Sequence, residues 1–231
     1  MDYGSFLKNV PLFASLKPAD YADLARITKV HKYKKGDNIF HQEDPGSTLY
    51  IIISGQVKVT IDSHEGCEAI LAILSDGEFF GELSLLDQEP RSANVVAMLD
   101  TQTLVLHRHD FLNFLNTRHE MAVDMLAALS RRLRGADVSI QDAVFLKVPA
   151  RLAKRLLELG QRHGIQTSRG VEIGLRLTQQ DLADLIGASR VAVNKQLRLF
   201  QTEGLIDIEK QRFTITRPEE LEEFTYSHVE M

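Results

Sequence analysis

Gly77-Glu78-Phe79-Phe80-Gly81-Glu82-Leu83-Ser84-Leu85-Leu86-Asp87-Gln88-Glu89-Pro90-Arg91-Ser92-Ala93 gathers several phosphate-handling devices into one stretch of chain. Gly77 and Gly81 admit backbone conformations closed to residues with a Cβ, and Gly81 lets main chain come close to a ligand. Glu82 to Leu86 fits a short helical turn whose first amides lack partners inside the helix and point at whatever lies in front of it. Pro90 stiffens the return, and Arg91 brings a guanidinium suited to a two-pronged grip on phosphate oxygens. Ser92 adds a hydroxyl. Glu82 would repel an anion unless it faced a hydroxyl-bearing part of the same molecule, such as a ribose 2′-OH. The set suits a small nucleotide with one phosphate and an accessible sugar hydroxyl. The alternative is an ordinary turn closed by a surface ion pair between Glu82 and Arg91.

Outward from this stretch the chain reads as short β-rich runs: Ile39-Phe40, Leu49 to Ile53, Val57 to Ile61, Ala69 to Leu74, Ala93 to Met98 and Thr103 to Leu106. Gly36-Asp37, Asp44-Pro45-Gly46, Ser54-Gly55, Glu65-Gly66 and Asp76-Gly77 punctuate them, and strands this short at this spacing indicate an antiparallel roll or barrel. Phe6 to Lys29 has a helical rhythm broken by Pro11 and Pro18, so short helices are expected there. After Asp110 the helical rhythm returns. Ala122, Leu126, Leu129, Leu133, Ala136, Ile140 and Ala143 alternate steps of four and three, the seam of a two-stranded coiled coil, or else a stripe packed on the chain's own roll. Phe145 to Pro149 reads as a hinge, and Ala150 to Leu159 as a basic amphipathic helix.

A second strong pattern runs from Leu177 to Arg198. Thr178 can cap a helix with Asp181 at its third position, Leu182, Leu185 and Ile186 face inward, and Gly187 ends it. Ser189 caps a second helix with Val193, Leu197 and Phe200 inward and Arg190, Asn194, Lys195 and Arg198 outward. Two helices joined by so short a glycine turn, the second with a basic outer face, form a helix-turn-helix. Ile206 to Ile208 and Phe213 to Ile215 add a small hairpin of the winged kind.

The formal net charge of -5 hides a division of charge along the chain. Between Lys147 and Arg217 thirteen basic side chains stand against seven acidic ones, an excess of about six positive charges that suits nucleic acid. Acidity collects after Pro218, in Glu219, Glu220, Glu222, Glu223 and Glu230. At 231 residues, 44% apolar and 26% charged, the chain suits two domains with their own cores. Lacking a long apolar run or a signal-peptide pattern, it is expected to be soluble and cytoplasmic. The single Cys67 cannot form an internal disulfide and is expected as a small buried hydrophobe. The histidines are scattered without metal-ligand spacing, and no Gly-x-Ser-x-Gly or Walker loop is present, so neither a metal nor an enzyme is expected.

Phe80-Gly81-Glu82-Leu83-Ser84-Leu85 followed by Arg91-Ser92-Ala93 resembles the phosphate-binding cassette of cyclic-nucleotide-binding domains. With the heptad helix, hinge and winged helix-turn-helix in this order, the whole resembles the CRP/FNR family of bacterial transcription factors. The resemblance implies an α+β chain: an N-terminal cyclic-nucleotide-binding domain of double-stranded β-helix or jelly-roll type over residues 1–110, a dimerisation helix over 111–145, and a winged helix-turn-helix over 146–231. It implies that Arg91 meets a cyclic phosphate and Glu82 the ribose 2′-OH, with Gly81, Leu83, Ser84 and Ser92 completing the cradle. On the long helix, Ala136 and Asp137 stand where the family presents a Thr-Ser pair to adenine. Cyclic AMP therefore leads by the family, while the Asp137 carboxylate matches the two adjacent donors of guanine and keeps cyclic GMP open. A cysteine-ligated cluster, as in the FNR branch, needs more than one cysteine. The implied partners are double-stranded DNA on a palindromic operator, a second copy of the chain, and RNA polymerase if the protein activates; no membrane is implied. Thr178, Gln179, Ser189, Arg190, Val191, Asn194, Lys195 and Arg198 are the expected DNA-facing residues. The family's Arg-Glu start and later Arg appear here as Arg190, Val191 and Lys195, so a different half-site is expected. A ligand-independent regulator with a vestigial pocket is the nearest rival. A regulatory subunit of a kinase or channel would leave the helix-turn-helix unexplained.

Overall fold

Side chains of successive strand residues point to opposite faces, and along Thr48–Ser54 this alternation sorts the apolar residues into two cores. Leu49, Ile51 and Ile53 join one with the helices, and Ile52 enters the other, against which Tyr50 packs. The computed structural model describes residues 2–63 and 65–226. The chain divides into two compact units whose sequence boundary falls between Arg134 and Gly135.

The first unit runs α1 (Tyr3–Leu7), a 3-10 turn (Pro11–Phe13), α2 (Pro18–Ile27), β1 (Lys29–Tyr33), β2 (Asn38–Phe40), β3 (Thr48–Ser54), β4 (Gln56–Asp62), β5 (Glu68–Ser75), β6 (Phe79–Phe80), α3 (Glu82–Asp87), β7 (Asn94–Ala97), β8 (Thr101–His107), α4 (Arg108–Thr117) and the first part of α5 (Glu120–Phe145), the helix that crosses the boundary. Two antiparallel four-stranded sheets, ordered β1-β8-β3-β6 and β2-β7-β4-β5, make the expected roll. Between the sheets Ile52, Val57, Leu74, Phe80 and Val95 form the inner core. Outside, Leu7, Phe13, Leu24 and Phe111 cover the other face of β3 and β8 together with Met121, Met125 and Ala128 of α5.

Those three α5 residues recur at steps of four and three, so one face of the helix is spent on the roll. The stripe that carries the heptad pattern is a different one: Leu126, Leu133 and Ile140 are 63%, 66% and 64% exposed. Of the heptad residues themselves, Leu129 is half-buried against the roll's outer core, so the reading in which the stripe packs on the chain's own roll is met at that position and by Met121, Met125 and Ala128 beside it, while Leu126, Leu133 and Ile140 are left uncovered.

The second unit contains α6 (Val148–His163), β9 (Gly164–Thr167), β10 (Gly170–Ile173), α7 (Gln179–Ile186), α8 (Arg190–Thr202), β11 (Ile206–Glu209), β12 (Arg212–Ile215) and α9 (Pro218–Tyr226). Its sheet is ordered β11-β12-β10-β9. Buried Leu152, Leu156, Val193, Leu197, Phe200 and Leu221 hold the helices together, and Phe224 of the acidic α9 meets Phe200 edge-on with ring centroids 5.1 Å apart. Glu230 lies outside the described residues.

Several local expectations need correcting. Cys67 is exposed, because it sits where the β4–β5 hairpin turns, its N–H donating to Ser63 Oγ at 3.0 Å. The basic helix extends well past Ala150–Leu159, and only Leu146 and Lys147 separate α5 from α6, so Phe145 and Pro149 are helical. Strands β1, β6, β9 and β10 have no counterpart among the expected β-rich runs. Among the described residues no helix is long and apolar enough to cross a membrane.

Candidate ligand pocket and nucleic-acid interface

Gly81 precedes α3 with φ 83°, in the region that favours glycine. A Cβ there would lie 2.8 Å from both Arg91 Nη1 and Thr48 O, so backbone and guanidinium close on each other across this position. In α3 itself Glu82, Ser84 and Leu85 turn inward, while Leu83 is 44% exposed.

Arg91 is buried, only 4% exposed. The β2–β3 loop grips its backbone from both directions, Arg91 N donating to Asp44 O at 2.8 Å and Glu43 N donating to Arg91 O at 2.9 Å. Its guanidinium lies over Phe40, Cζ 4.2 Å from the ring centroid, and 5.8 Å from the ring of Tyr50, which is itself stacked on Phe80. Nη1 donates to Gly81 O at 2.8 Å, and Nη2 to Thr48 O at 3.1 Å and to Thr48 Oγ1 at 2.8 Å. The expected two-pronged fork is thus turned onto the protein's own carbonyls. Nε is left buried and without a partner. Burial pushes the Arg91 pKa below its ordinary value, opposed by Tyr50, Glu82 and Asp44, yet arginine stays cationic in proteins. A buried cation with one unspent donor fits an anion, because a buried polar group without a partner is costly.

Glu82 is also buried, at 4% exposed, and its ion pair is with Arg132 of α5 rather than with Arg91. Arg132 Nη1 donates to Glu82 Oε1 at 2.5 Å, Nη2 donates to Phe79 O, and Cζ lies 4.3 Å over the Phe79 ring. Arg132, Thr48 and Phe40 therefore join Gly81, Glu82, Ser84 and Arg91 in one neighbourhood, although sequence reasoning passed over all three. Ser92, by contrast, is exposed, and Ala136 and Asp137 are exposed on the part of α5 that belongs to the second unit.

In the second unit the capping residues do what their types allow. Thr178 Oγ1 accepts from Asp181 N at 3.0 Å while Asp181 Oδ2 accepts from Thr178 N at 2.7 Å, closing a capping box on α7. Gly187, at φ 60°, ends that helix, and Ser189 Oγ accepts from Ala192 N at 3.2 Å to open α8. Arg151 Nη1 caps the other end of α7 by donating to Ile186 O at 2.7 Å. Val193, Leu197 and Phe200 are buried, whereas Arg190, Lys195 and Arg198 are exposed and Val191 is 80% exposed. Asn194 is half-buried: its Nδ2 donates to Gln179 Oε1 at 2.7 Å and ties α8 to the start of α7.

The wing crosses over at Lys210 and Gln211, both left-handed at φ 46° and 69°. Residues with a Cβ hold that region at a cost of about 1 kcal/mol or more each. Gln211 O accepts from Leu177 N at 3.4 Å, and a cleft of about 490 Å³ opens between wing and helices, lined by Thr178, Gln179, Gln180, Arg190 and Gln211 over Leu177, Ile208 and Phe213.

Comparison with known proteins follows the same division. The cyclic nucleotide-binding domain matches residues 30–118 and the Crp-like helix-turn-helix domain residues 150–224. The chain is 34% identical over 215 residues to the CRP-like cAMP-activated global transcriptional regulator of Mycobacterium tuberculosis, covering 93% of this chain and 96% of that one. It is 33% identical over 220 residues to the cyclic AMP receptor protein of Thermus thermophilus, covering 95% and 99%. Among solved structures it resembles the Thermus thermophilus catabolite activator protein, 34% identical with a TM-score of 0.54 over 94% and 98% of the two chains. A CooA mutant from Carboxydothermus hydrogenoformans shares the fold, at 22% identity and a TM-score of 0.78 over 94% of each chain. A roll with a buried arginine, followed by a capped helix-turn-helix with a basic outer face and by relatives aligned over nearly their whole length, places this chain in the CRP/FNR family of DNA-binding transcription regulators.

Proposed function

We propose that the protein is a homodimeric regulator whose grip on a palindromic operator is set by a cyclic nucleotide held in the roll, cyclic AMP first. The observation that carries this is the buried Arg91 with its unpartnered Nε. Its relatives in Mycobacterium tuberculosis and Thermus thermophilus carry cyclic AMP in their names, which favours that nucleotide. Cyclic GMP is the second reading, favoured by the carboxylate at Asp137 where the family has a hydroxyl. The roll is assigned to residues 1–110, the dimer helix to 111–145 and the DNA-binding part to 146–231. No catalytic activity is assigned, and the protein works in the cytoplasm.

When bound, the nucleotide supplies a negative charge and a sugar hydroxyl. Arg91 neutralises the charge, the α3 amides and Ser84 surround it, and Glu82 accepts from the hydroxyl. Arg132 belongs to α5, so any change in what Glu82 accepts is felt at the helix that would meet its copy through Leu126, Leu133 and Ile140. The dimer then spaces two α8 helices about 34 Å apart, one helical turn of duplex. Arg190 reads a guanine edge, Val191 contacts a thymine methyl, and Lys195 and Arg198 hold phosphates. RNA polymerase is the further partner if the regulator activates. Isothermal calorimetry with cyclic AMP and cyclic GMP tests the pocket: saturable binding of either supports the reading, and binding of neither leaves the rival with a vestigial pocket.

A further inference from the structure

Thr48 opens β3, 43 residues from Arg91 in sequence, yet it takes two of the three hydrogen bonds that the guanidinium makes. Gly46, just before it, is equally close: a Cβ at Gly46 would lie 2.5 Å from Arg91 Nε, 2.7 Å from its Cζ and 2.7 Å from Ser84 Cβ. Any other residue at 46 would fill the space between the unspent donor and the cassette. Phe40 forms the floor of the same slot, 4.2 Å below Cζ. The segment from Phe40 at the end of β2 to Thr48 at the start of β3 therefore contributes floor, side wall and a missing Cβ to the site, none of which the cassette itself contains.

An arginine on its flexible stem has many rotamers to lose, and a binding group held in place beforehand does not have to be ordered when its ligand arrives. Bonds from a cation to neutral oxygens are stronger than bonds between neutral groups, so the Thr48 hydroxyl is an effective anchor. We infer that Thr48 is the positioning residue of the anion site: by taking Nη2 on its hydroxyl and carbonyl it holds Arg91 inside the roll with Nε–H as the donor left for a phosphate oxygen. The assignment rests on the reading of the roll as a cyclic-nucleotide site and names the residue, outside the cassette, that orients its arginine.

The test compares the full-length wild type with Thr48→Val, Thr48→Ala and Thr48→Ser by calorimetry with cyclic AMP and cyclic GMP, each protein checked by its melting temperature. Removing the hydroxyl in Val and Ala is expected to weaken nucleotide binding about tenfold or more, with Ser within a few fold of wild type. Melting should be nearly unchanged, because the carbonyl of residue 48 still accepts from Nη2. The Arg91 Nε–H resonance, followed by 15N NMR, should move on titration of wild type with the nucleotide. Unchanged or tighter binding by both Val and Ala variants overturns the assignment while leaving the cyclic-nucleotide reading intact, and so does a stationary Nε–H resonance. A wild type that binds neither nucleotide removes that reading, and this assignment with it.

Discussion

At the scale of single residues, the buried charges described in the first unit rest on other residues. Arg91 rests on carbonyls, Glu82 on Arg132, and Arg118 bridges Asp20 at 2.7 Å and Asp23 at 3.0 Å while lying over Phe114. Replacing Arg91 with alanine removes the cation proposed to meet the phosphate, so calorimetry should register a loss of about a hundredfold or more in nucleotide affinity. Normal binding by Arg91→Ala would mean the ligand sits elsewhere. Asp20 gives a pH prediction. Burial raises its carboxyl pKa, but the bonds from Arg118 and from Lys17 N–H outweigh that and leave it below the ordinary value. A group depressed on folding stabilises the fold above its unfolded pKa, about 3.9, and that contribution is lost as pH falls through the lower folded value. Asp20→Asn should therefore melt below wild type near neutrality and converge on it in acid; a gap that stays constant from neutral to acid pH would contradict the assignment.

At the scale of elements, the helix-turn-helix was legible because its limits are local. A capping threonine, a left-handed glycine and a capping serine act on amides within three residues of themselves, so their positions in sequence give their positions in space. Thr178→Ala should lower the stability of the second unit by about 1 kcal/mol, read as a drop in its urea midpoint without loss of the fold. The candidate anion site was only half legible for the opposite reason. Gly81, Glu82 and Arg91 announce themselves, but Thr48 and Arg132 come in from 43 and 50 residues away and have no local signature. Strand β1 hid behind Lys29, His31 and Lys32, and β9–β10 behind a turn whose Gly170 is fixed by Ile215 O, 2.1 Å from where a Cβ would stand. Helix α5 was read correctly as a long helix, and its two stripes divide its work. If the exposed one is a dimer seam, Leu133→Glu should shift sedimentation from dimer to monomer and leave the roll's melting nearly unchanged. A wild type that sediments as a monomer would refute the seam.

At the scale of the whole molecule, the order of the parts was legible because period changes mark them: a period of two along the roll, a helical period along α5 and α6 and again along α7 and α8, and an excess of positive charge confined to the second half. A total of -5 conceals that division, and it is the basic segment, not the sum, that addresses DNA. The cyclic nucleotide-binding domain and the helix-turn-helix belong to different units, so the proposed control of DNA binding by a nucleotide requires a choice between two arrangements to pass from one to the other. Coupling of this kind is typically 1 to 3 kcal/mol, or about 5- to 150-fold in affinity. The direct measurement is fluorescence anisotropy of the full-length protein on an operator selected from random duplex DNA, at fixed salt, with and without saturating cyclic AMP or cyclic GMP. An affinity change within that range, abolished in Arg91→Ala, is the expected result; identical affinity with and without both nucleotides would contradict the account.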